Sequence, residues 1–295
     1  MKKIIALSAI AAAASLLTGN AIAADAAPAA APDPGPVTAN VTLASQYRYR
    51  GISQSNSLPA IQGGFDYAHE SGFYIGNWNS NISWISDGYG PTSAGSSTNS
   101  VSAPIEMDFY AGFKKEVAEG LTLDAGVLQY YYASKNLPTS STYTGSGTSY
   151  LGAFYSGRQG AGQSPNTTEA YIAATYGIAM VKYSYALTNL FGIDNSKGAQ
   201  YFDLSLNYDT GFEGITLNGH VGYQYVPSTT LTSNTALEPS FSYTDWKIGL
   251  TKDFGAGLAG AIAYIGTNAS NNAYYSNTFD NTGKGTVFVS LTKTF

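Results

Sequence analysis

The chain has 295 residues and a formal charge of −5, with no cysteine, 33 glycines and 24 tyrosines, and only 11% of its residues are charged. The lack of cysteine excludes disulfides and thiolate chemistry, and an acidic balance without a basic run excludes a nucleic-acid surface. A charged fraction far below the usual quarter or so, combined with abundant aromatics, fits neither an ordinary soluble domain nor a disordered chain.

The first element in the chain is an export signal. Lys2 and Lys3 supply the charged start, residues 4–17 the apolar core, and Ala21-Ile22-Ala23 a small-residue cleavage pattern, so cleavage is expected after Ala23. The apolar run is too short to serve as a membrane anchor helix. Residues 24–39, "ADAAPAAAPDPGPVTA", read as an extended, solvated periplasmic linker. No later stretch is long and apolar enough for a spanning helix.

From Asn40 onward the apolar period is two rather than 3.6, which indicates strands. Twelve follow, over 40–50, 59–68, 72–84, 104–116, 120–133, 167–177, 179–188, 199–209, 214–226, 241–253, 257–268 and 284–295. Most have about the ten residues that a tilted strand needs to cross a bilayer. The alternation is cleanest where Ile105, Met107, Phe109 and Phe113 oppose Glu106, Asp108 and Lys114, and where Phe202, Leu204 and Leu206 oppose Asp203, Ser205 and Asn207. The strand from Gly72 is ambiguous, because Phe73 and Ile75 compete with Tyr74, Trp78 and Ile82 for one face.

The connections alternate strictly between short and long. "HESG", "VAEG", "YGIA", "DTGFEG" and "DFGAG" are tight, and the intervening ones are extended. The pattern predicts an all-β fold over residues 40–295. It is a 12-stranded antiparallel up-and-down transmembrane β-barrel with short periplasmic turns and long extracellular loops. A soluble β-sandwich would also alternate, but it gives no reason for the loop rhythm. Closure also removes the strand edges that hydrocarbon does not tolerate. In the terminal "VFVSLTKTF", Val287, Val289, Leu291 and Phe295 share a face. Phe295 is expected to be read as an assembly signal by the outer-membrane assembly machinery. Lys293 departs from that pattern and is expected to snorkel to the water interface.

The stretch "SQYRYRGISQSNSLPAIQGGFDYAHESGFYIGNWNSNI", with "TEAYIA", "NGHVGYQ" and "SYTDWKIGLTKDF…YIGTN", resembles the TorF-like porin family of proteobacterial outer-membrane proteins. The likeness runs from about Asn40 to Phe295. It implies a β-barrel and the outer membrane of a Gram-negative bacterium, and it brings no catalytic residue with it.

Parity assigns an interior. If Val41, Leu43, Tyr47 and Tyr49 face lipid, then Gln46, Arg48 and Arg50 face the lumen, since an arginine at mid-depth on the lipid face costs about 2–4 kcal/mol. The same parity lines the pore with Asp66, Glu106, Asp108, Asp124, Glu169, Lys182, Asp203, His220, Asp245 and Lys247, beside Gln62, Asn218 and Gln224. Two readings stay open for the arginines. They face carboxylates across a water-filled lumen, or they pair with carboxylates and plug a narrow barrel.

The glycines do not form a phosphate cradle, because no strand–GxGxxG–helix unit exists. The tyrosine runs at 130–132 and 183–185 are expected to be interfacial girdles rather than sugar-stacking platforms. The two histidines, His69 in a short turn and His220 inside, leave no serine–histidine pair at an outer surface, and no histidine or cysteine cluster has metal-ligand spacing. The long 134–166 loop, with Tyr143, Tyr150, Phe154, Tyr155 and Arg158, is expected to fold at least partly inward. The sequence therefore reads as a non-enzymatic channel without cofactor or metal. It would pass small polar solutes passively through a narrow charged lumen, with outer-membrane lipid and the assembly machinery as partners. The alternative is a closed structural, receptor or adhesin barrel that works through its loops.

Overall fold

The computed structural model describes residues 36–89, 101–137, 163–193, 195–227, 240–270, 274 and 281–295. The expected export signal and nearly all of the linker lie outside these residues. So do Tyr143, Tyr150, Phe154, Tyr155 and Arg158 of the long loop.

The strands are β1 (Val37–Ala44), β2 (Arg48–Tyr49), β3 (Ile52–Ser53), β4 (Ala60–Ala68), β5 (Phe73–Asn81), β6 (Ile105–Ala118) and β7 (Leu121–Tyr132). They continue with β8 (Thr167–Tyr176), β9 (Ala179–Ala186), β10 (Gln200–Asp209), β11 (Ile215–Tyr225), β12 (Tyr243–Gly255), β13 (Leu258–Thr267) and β14 (Thr286–Thr294). Apart from the β2–β3 pair, each strand lies antiparallel to its neighbours in chain order, and β1 closes the sheet by pairing with β14 on one side and β4 on the other. The result is a closed barrel of twelve strands. The strand ends joined by the short connections lie at one end of the barrel, and those joined by the long ones at the other. No helix among the described residues is long and apolar enough to cross a membrane.

Period two decides the two faces. Phe65, Ile75, Phe109, Ile172, Leu204 and Ile248 all point outward and are exposed, while the residues between them are turned in. A belt of aliphatic and aromatic side chains therefore surrounds the barrel, far larger than the few hundred Å² of contiguous apolar surface usual for a soluble monomer. Tyr176, Tyr208, Phe212, Phe254 and Phe295 extend it at the short-turn rim. The ambiguous third strand is resolved by burial. Phe73 and Ile75 are outside, and Tyr74 and Trp78 are inside.

The high glycine and tyrosine content has a packing explanation. Inward tyrosines lie flat along the wall over glycines of adjacent strands. A Cβ on Gly76 would meet the ring of Tyr110, and one on Gly222 would meet the hydroxyl of Tyr201. In both places the missing side chain makes room for a phenol that reaches a carboxylate.

Three expected boundaries and one expected facing are corrected. β1 begins at Val37, inside the segment read as linker, and it leaves the wall after Ala44 instead of running to residue 50. The third wall strand stops at Asn81, and residues 84–89 form a short helix, α1 (Trp84–Tyr89). Its start is fixed by Ser83, whose hydroxyl donates to Asp87 at 2.6 Å and whose carbonyl accepts the Asp87 amide at 2.7 Å. Tyr130 and Tyr132 face inward and are buried, so they form no girdle, because even positions of β7 carry the inner face. Tyr183 and Tyr185 do lie on the outer face of β9.

Candidate functional site

The site begins where β1 stops. After Ala44 the chain turns into the barrel, and residues 45–59 fold back within the long-loop end. There Arg48 pairs with Ser53 and Tyr49 with Ile52, which leaves Arg50 and Gly51 as a two-residue turn. Both have positive φ, 45° and 78°, as a type I′ hairpin turn requires. Gly51 is needed twice over. Besides the left-handed backbone, a Cβ there would collide with the Thr267 methyl and approach Asp245 Cβ to 2.8 Å. The hairpin tip therefore presses against β12 and β13.

Hydrogen bonds hold the hairpin on both sides. The Ser53 amide donates to the Thr282 carbonyl at 2.8 Å, and the amides of Ser83 and Trp84 donate to the Gln54 carbonyl at 2.9 and 3.2 Å. Arg48 donates to Gln46 Oε1 at 2.7 Å and to the carbonyls of Gly51 and Thr282 at 2.8 Å each.

This geometry corrects the parity expected for "QYRYRG". Arg48 and Arg50 are inside, only 2% and 5% exposed, but so are Tyr47 and Tyr49. The tyrosines were expected on the lipid face with Val41 and Leu43. The segment is a hairpin enclosed on both faces, so its alternation carries no information about lipid.

Arg50 crosses the lumen. Its Nη2 donates to Glu169 Oε2 on β8 at 2.6 Å, and its Nη1 to Gln224 Oε1 on β11 at 2.6 Å. The guanidinium carbon lies 4.2 Å from the ring centroid of Tyr201 and 4.7 Å from that of Tyr49. On the β6–β7 side, Glu106 accepts hydroxyl hydrogen bonds from Tyr47 and Tyr132, each at 2.5 Å. Two residues along β6 on the same face is Asp108. Its side chain is 0% exposed, and neither carboxylate oxygen has a hydrogen-bond partner among the described residues.

A second loop closes over the hairpin. Phe191 and Gly192 repeat the positive-φ pair, at 47° and 74°, and the Ile193 amide donates to the Leu190 carbonyl at 2.9 Å. The turn places the Phe191 ring 5.2 Å from both Tyr49 and Tyr130, 6.3 Å from Tyr132 and 6.4 Å from Trp84, all near-perpendicular. Edge-to-face contacts of this kind contribute about 0.5–1.5 kcal/mol each beyond burial.

Along the rest of the inner wall the carboxylates are held in side-chain knots. Asp66 accepts from Tyr110 at 2.5 Å. Asp124 accepts from Tyr74 at 2.7 Å, and the Tyr74 hydroxyl also meets that of Tyr171, over whose ring Lys182 sits at 4.2 Å. His220 Nε2 is 2.8 Å from Asp245, and its Nδ1 is 3.3 Å from both Asp203 and Ser205. Lys247 is the register partner of His220 on β12. Ser205, His220 and Asp245 superficially resemble a hydrolytic triad. The Ser205 hydroxyl, however, donates to Asp203 at 2.7 Å, and the imidazole is clamped between two carboxylates, which opposes its acting as a base. Among the described residues no group of three or more His, Cys, Asp or Glu is arranged to hold a metal ion.

The structure thus turns Asp66, Glu106, Asp108, Asp124, Glu169, Lys182, Asp203, His220, Asp245 and Lys247 inward from the wall, and brings Arg48 and Arg50 in from a loop. Sequence reasoning missed the aromatic members Tyr47, Tyr49, Trp78, Tyr130, Tyr132, Phe191 and Tyr201. The available signals were the "RG" and "FG" doublets, each a hydrophobic–X–Gly turn inside a segment read as strand or open loop.

Comparison with known proteins gives one family match. The model of Gcw_chp, described as a bacterial protein of unknown function, matches residues 27–157 and 148–295. Among solved structures, the chain is similar to the NanC porin, with 9% identity over 87% of this chain and 98% of that one and a TM-score of 0.49. It is also similar to the KdgM porin, with 6% identity over 88% and 99% and a TM-score of 0.48. The third is the P. putida toluene transporter TodX, with 11% identity over 90% and 91% and a TM-score of 0.47. No curated protein matches the sequence.

Proposed function

The chain belongs to the Gcw_chp family of bacterial proteins of unknown function, and we propose that it is a narrow outer-membrane channel for the passive diffusion of small hydrophilic solutes, constricted by its own first loop. The observation behind this reading is the inversion of polarity across one closed sheet. The outside is an apolar belt, and the inside holds charges centred on the Arg50–Glu169 contact. A closed barrel leaves no unpaired backbone edge for lipid to desolvate, and its outward side chains match hydrocarbon. Water and polar solutes are left the interior as their only path.

In this proposal residues 1–23 direct export and are removed after Ala23. The short turns face the periplasm and the long loops the exterior of a Gram-negative cell, and Phe295 engages the assembly machinery. The wall charges named above line the pore, and no cofactor, metal or reaction is needed. The resemblance to TorF-like porins supports the same reading. The dense hydrogen bonding of residues 45–59 favours a second one, a closed barrel acting as receptor or adhesin through its loops. Planar-bilayer recording of the purified protein, with liposome swelling in sugars, amino acids and nucleosides, separates them. Discrete conductance steps and solute-dependent swelling are expected. A silent bilayer and unswollen liposomes would overturn the channel and leave the closed barrel.

A further inference from the structure

We propose that the carboxylates beneath the first-loop hairpin, Glu106, Asp108 and Glu169, form a binding site for a compact organic cation bearing an ammonium or guanidinium group, and that Arg50 occupies part of this site as a tethered competitor. The inference deepens the channel reading, and rests on it for transport, but binding itself does not require conduction.

The charge distribution is the first observation. Among the described residues the buried charged side chains are six carboxylates and three cations, and two of those cations, Arg48 and Arg50, ride on the hairpin. The wall is therefore acidic by itself, and the loop neutralises part of it. Lifting the hairpin withdraws both arginines together.

The second observation is Asp108. Its two oxygens are buried with no donor among the described residues, two positions from Glu106 on the inner face of β6. A buried carboxylate without a partner is strongly disfavoured, so this position calls for a donor or a cation that the docked loop does not supply. Its cross-strand neighbours on the inner face are Trp78 of β5 and Tyr130 of β7, and the Tyr47 ring packs 5.3 Å from that of Trp78. A carboxylate bordered by aromatic rings is suited to a cation with an apolar body.

The third observation is the group already present. The Arg50 guanidinium is held by Glu169 and Gln224 and lies against the faces of Tyr201 and Tyr49. Charge-assisted hydrogen bonds combined with ring faces show what this part of the interior accepts. When the hairpin leaves, Tyr47 leaves Glu106 and Arg50 leaves Glu169, so Asp108 is joined by two released carboxylates. Binding of a cationic solute and undocking of the hairpin are then linked, each favouring the other.

The test is a titration of the refolded, detergent-solubilised full-length protein with agmatine and putrescine, using sorbitol and glutarate as neutral and anionic controls. Tryptophan emission reports the site, since Trp78 borders Asp108 and Trp84 packs against Tyr132 and Phe191, while Trp246 faces outward. Saturable emission changes are expected with the two amines and not with the controls. Arg50→Ala is expected to tighten amine binding at least tenfold by removing the competitor, and the near-isosteric Asp108→Asn to weaken it at least tenfold. If Arg50→Ala does not fold, as judged by heat-dependent gel mobility, Asp108→Asn decides alone. Equal responses to amines and controls, or unchanged binding in Asp108→Asn, would overturn the proposal. Amine binding by a protein silent in bilayers would overturn the channel reading only. Conductance without amine binding would overturn the cation site only.

Discussion

Arg50→Ala perturbs the contact on which the constriction depends. Arg50 supplies Glu169 with its 2.6 Å ion pair, and without it the remaining donor described for that carboxylate is the Tyr130 hydroxyl at 3.5 Å. Removing one partner of a buried pair destabilises by about 3–5 kcal/mol, because the other charge stays desolvated. The lost contact with the Tyr201 face contributes roughly 1 kcal/mol more. These contacts join the hairpin to the opposite wall and do not contribute to the sheet, so the loss falls on docking and not on barrel closure. At 1.4 kcal/mol per factor of ten, these losses together should lower the docked-to-undocked ratio by about 10³- to 10⁴-fold. Single-channel recording should register the change as a higher open probability, and limited proteolysis as new cleavage within residues 45–59. Adding Glu169→Gln should restore much of the docking, because the orphaned charge is then gone. Wild-type open probability and protease resistance in both variants, with folding intact, would refute the reasoning.

Other perturbations probe separate parts of the account. Gly51→Ala combines a left-handed backbone, φ 78°, with a collision against Thr267; a loss of about 1–3 kcal/mol of hairpin docking is expected, and an unchanged cleavage pattern would contradict it. Phe191→Ala removes edge-to-face contacts with Tyr49 and Tyr130, so conductance should become noisier as roughly 1–3 kcal/mol of packing between the second loop and the hairpin is lost, at about 0.5–1.5 kcal/mol per ring pair. Ile248→Arg places a guanidinium on the outer face of β12, where Ile248 is 61% exposed; unfolding from vesicles should show about 2–4 kcal/mol of destabilisation if that face meets hydrocarbon, and almost none if it meets water. Deleting Phe295 removes an exposed ring and the amide that donates to the Ala39 carbonyl at 2.8 Å; cell fractionation should then show a lower folded yield in the outer membrane, and an unaltered yield would dismiss the assembly-signal reading.

The barrel was legible in the sequence because two independent regularities agreed. Period two separates Ile105, Met107 and Phe109 from Glu106 and Asp108, and the alternation of short and long connections sets the strand order. The candidate site was legible only on the wall. Parity works wherever one face of a strand meets lipid, and it placed Glu169 and Asp245 inside. It fails beyond Ala44, where the Tyr–Arg alternation belongs to a hairpin enclosed on both faces. Tyr130 and Tyr132 were misread as girdle residues because the parity that places Asp124 inside was not carried along β7 to its aromatic end. Gly76 and Gly222 hold the missing clue, because inward glycines mark where a neighbouring tyrosine lies across the wall. That pairing depends on register, and the sequence does not display register.

The central claim is a membrane-spanning barrel whose lumen is occupied by its own first loop. Because the chain has no cysteine, single cysteines can be spin-labelled cleanly at residues 170–174 of β8 and at Ser53 of the hairpin, with the protein reconstituted in vesicles. Accessibility to lipid-dissolved oxygen should peak at positions 170, 172 and 174 and fall at Tyr171 and Ala173, which face inward. A label at Ser53, which is buried, should be shielded from both oxygen and a water-soluble nickel chelate. A flat oxygen profile along β8, or free access of the chelate to position 53, would contradict the account.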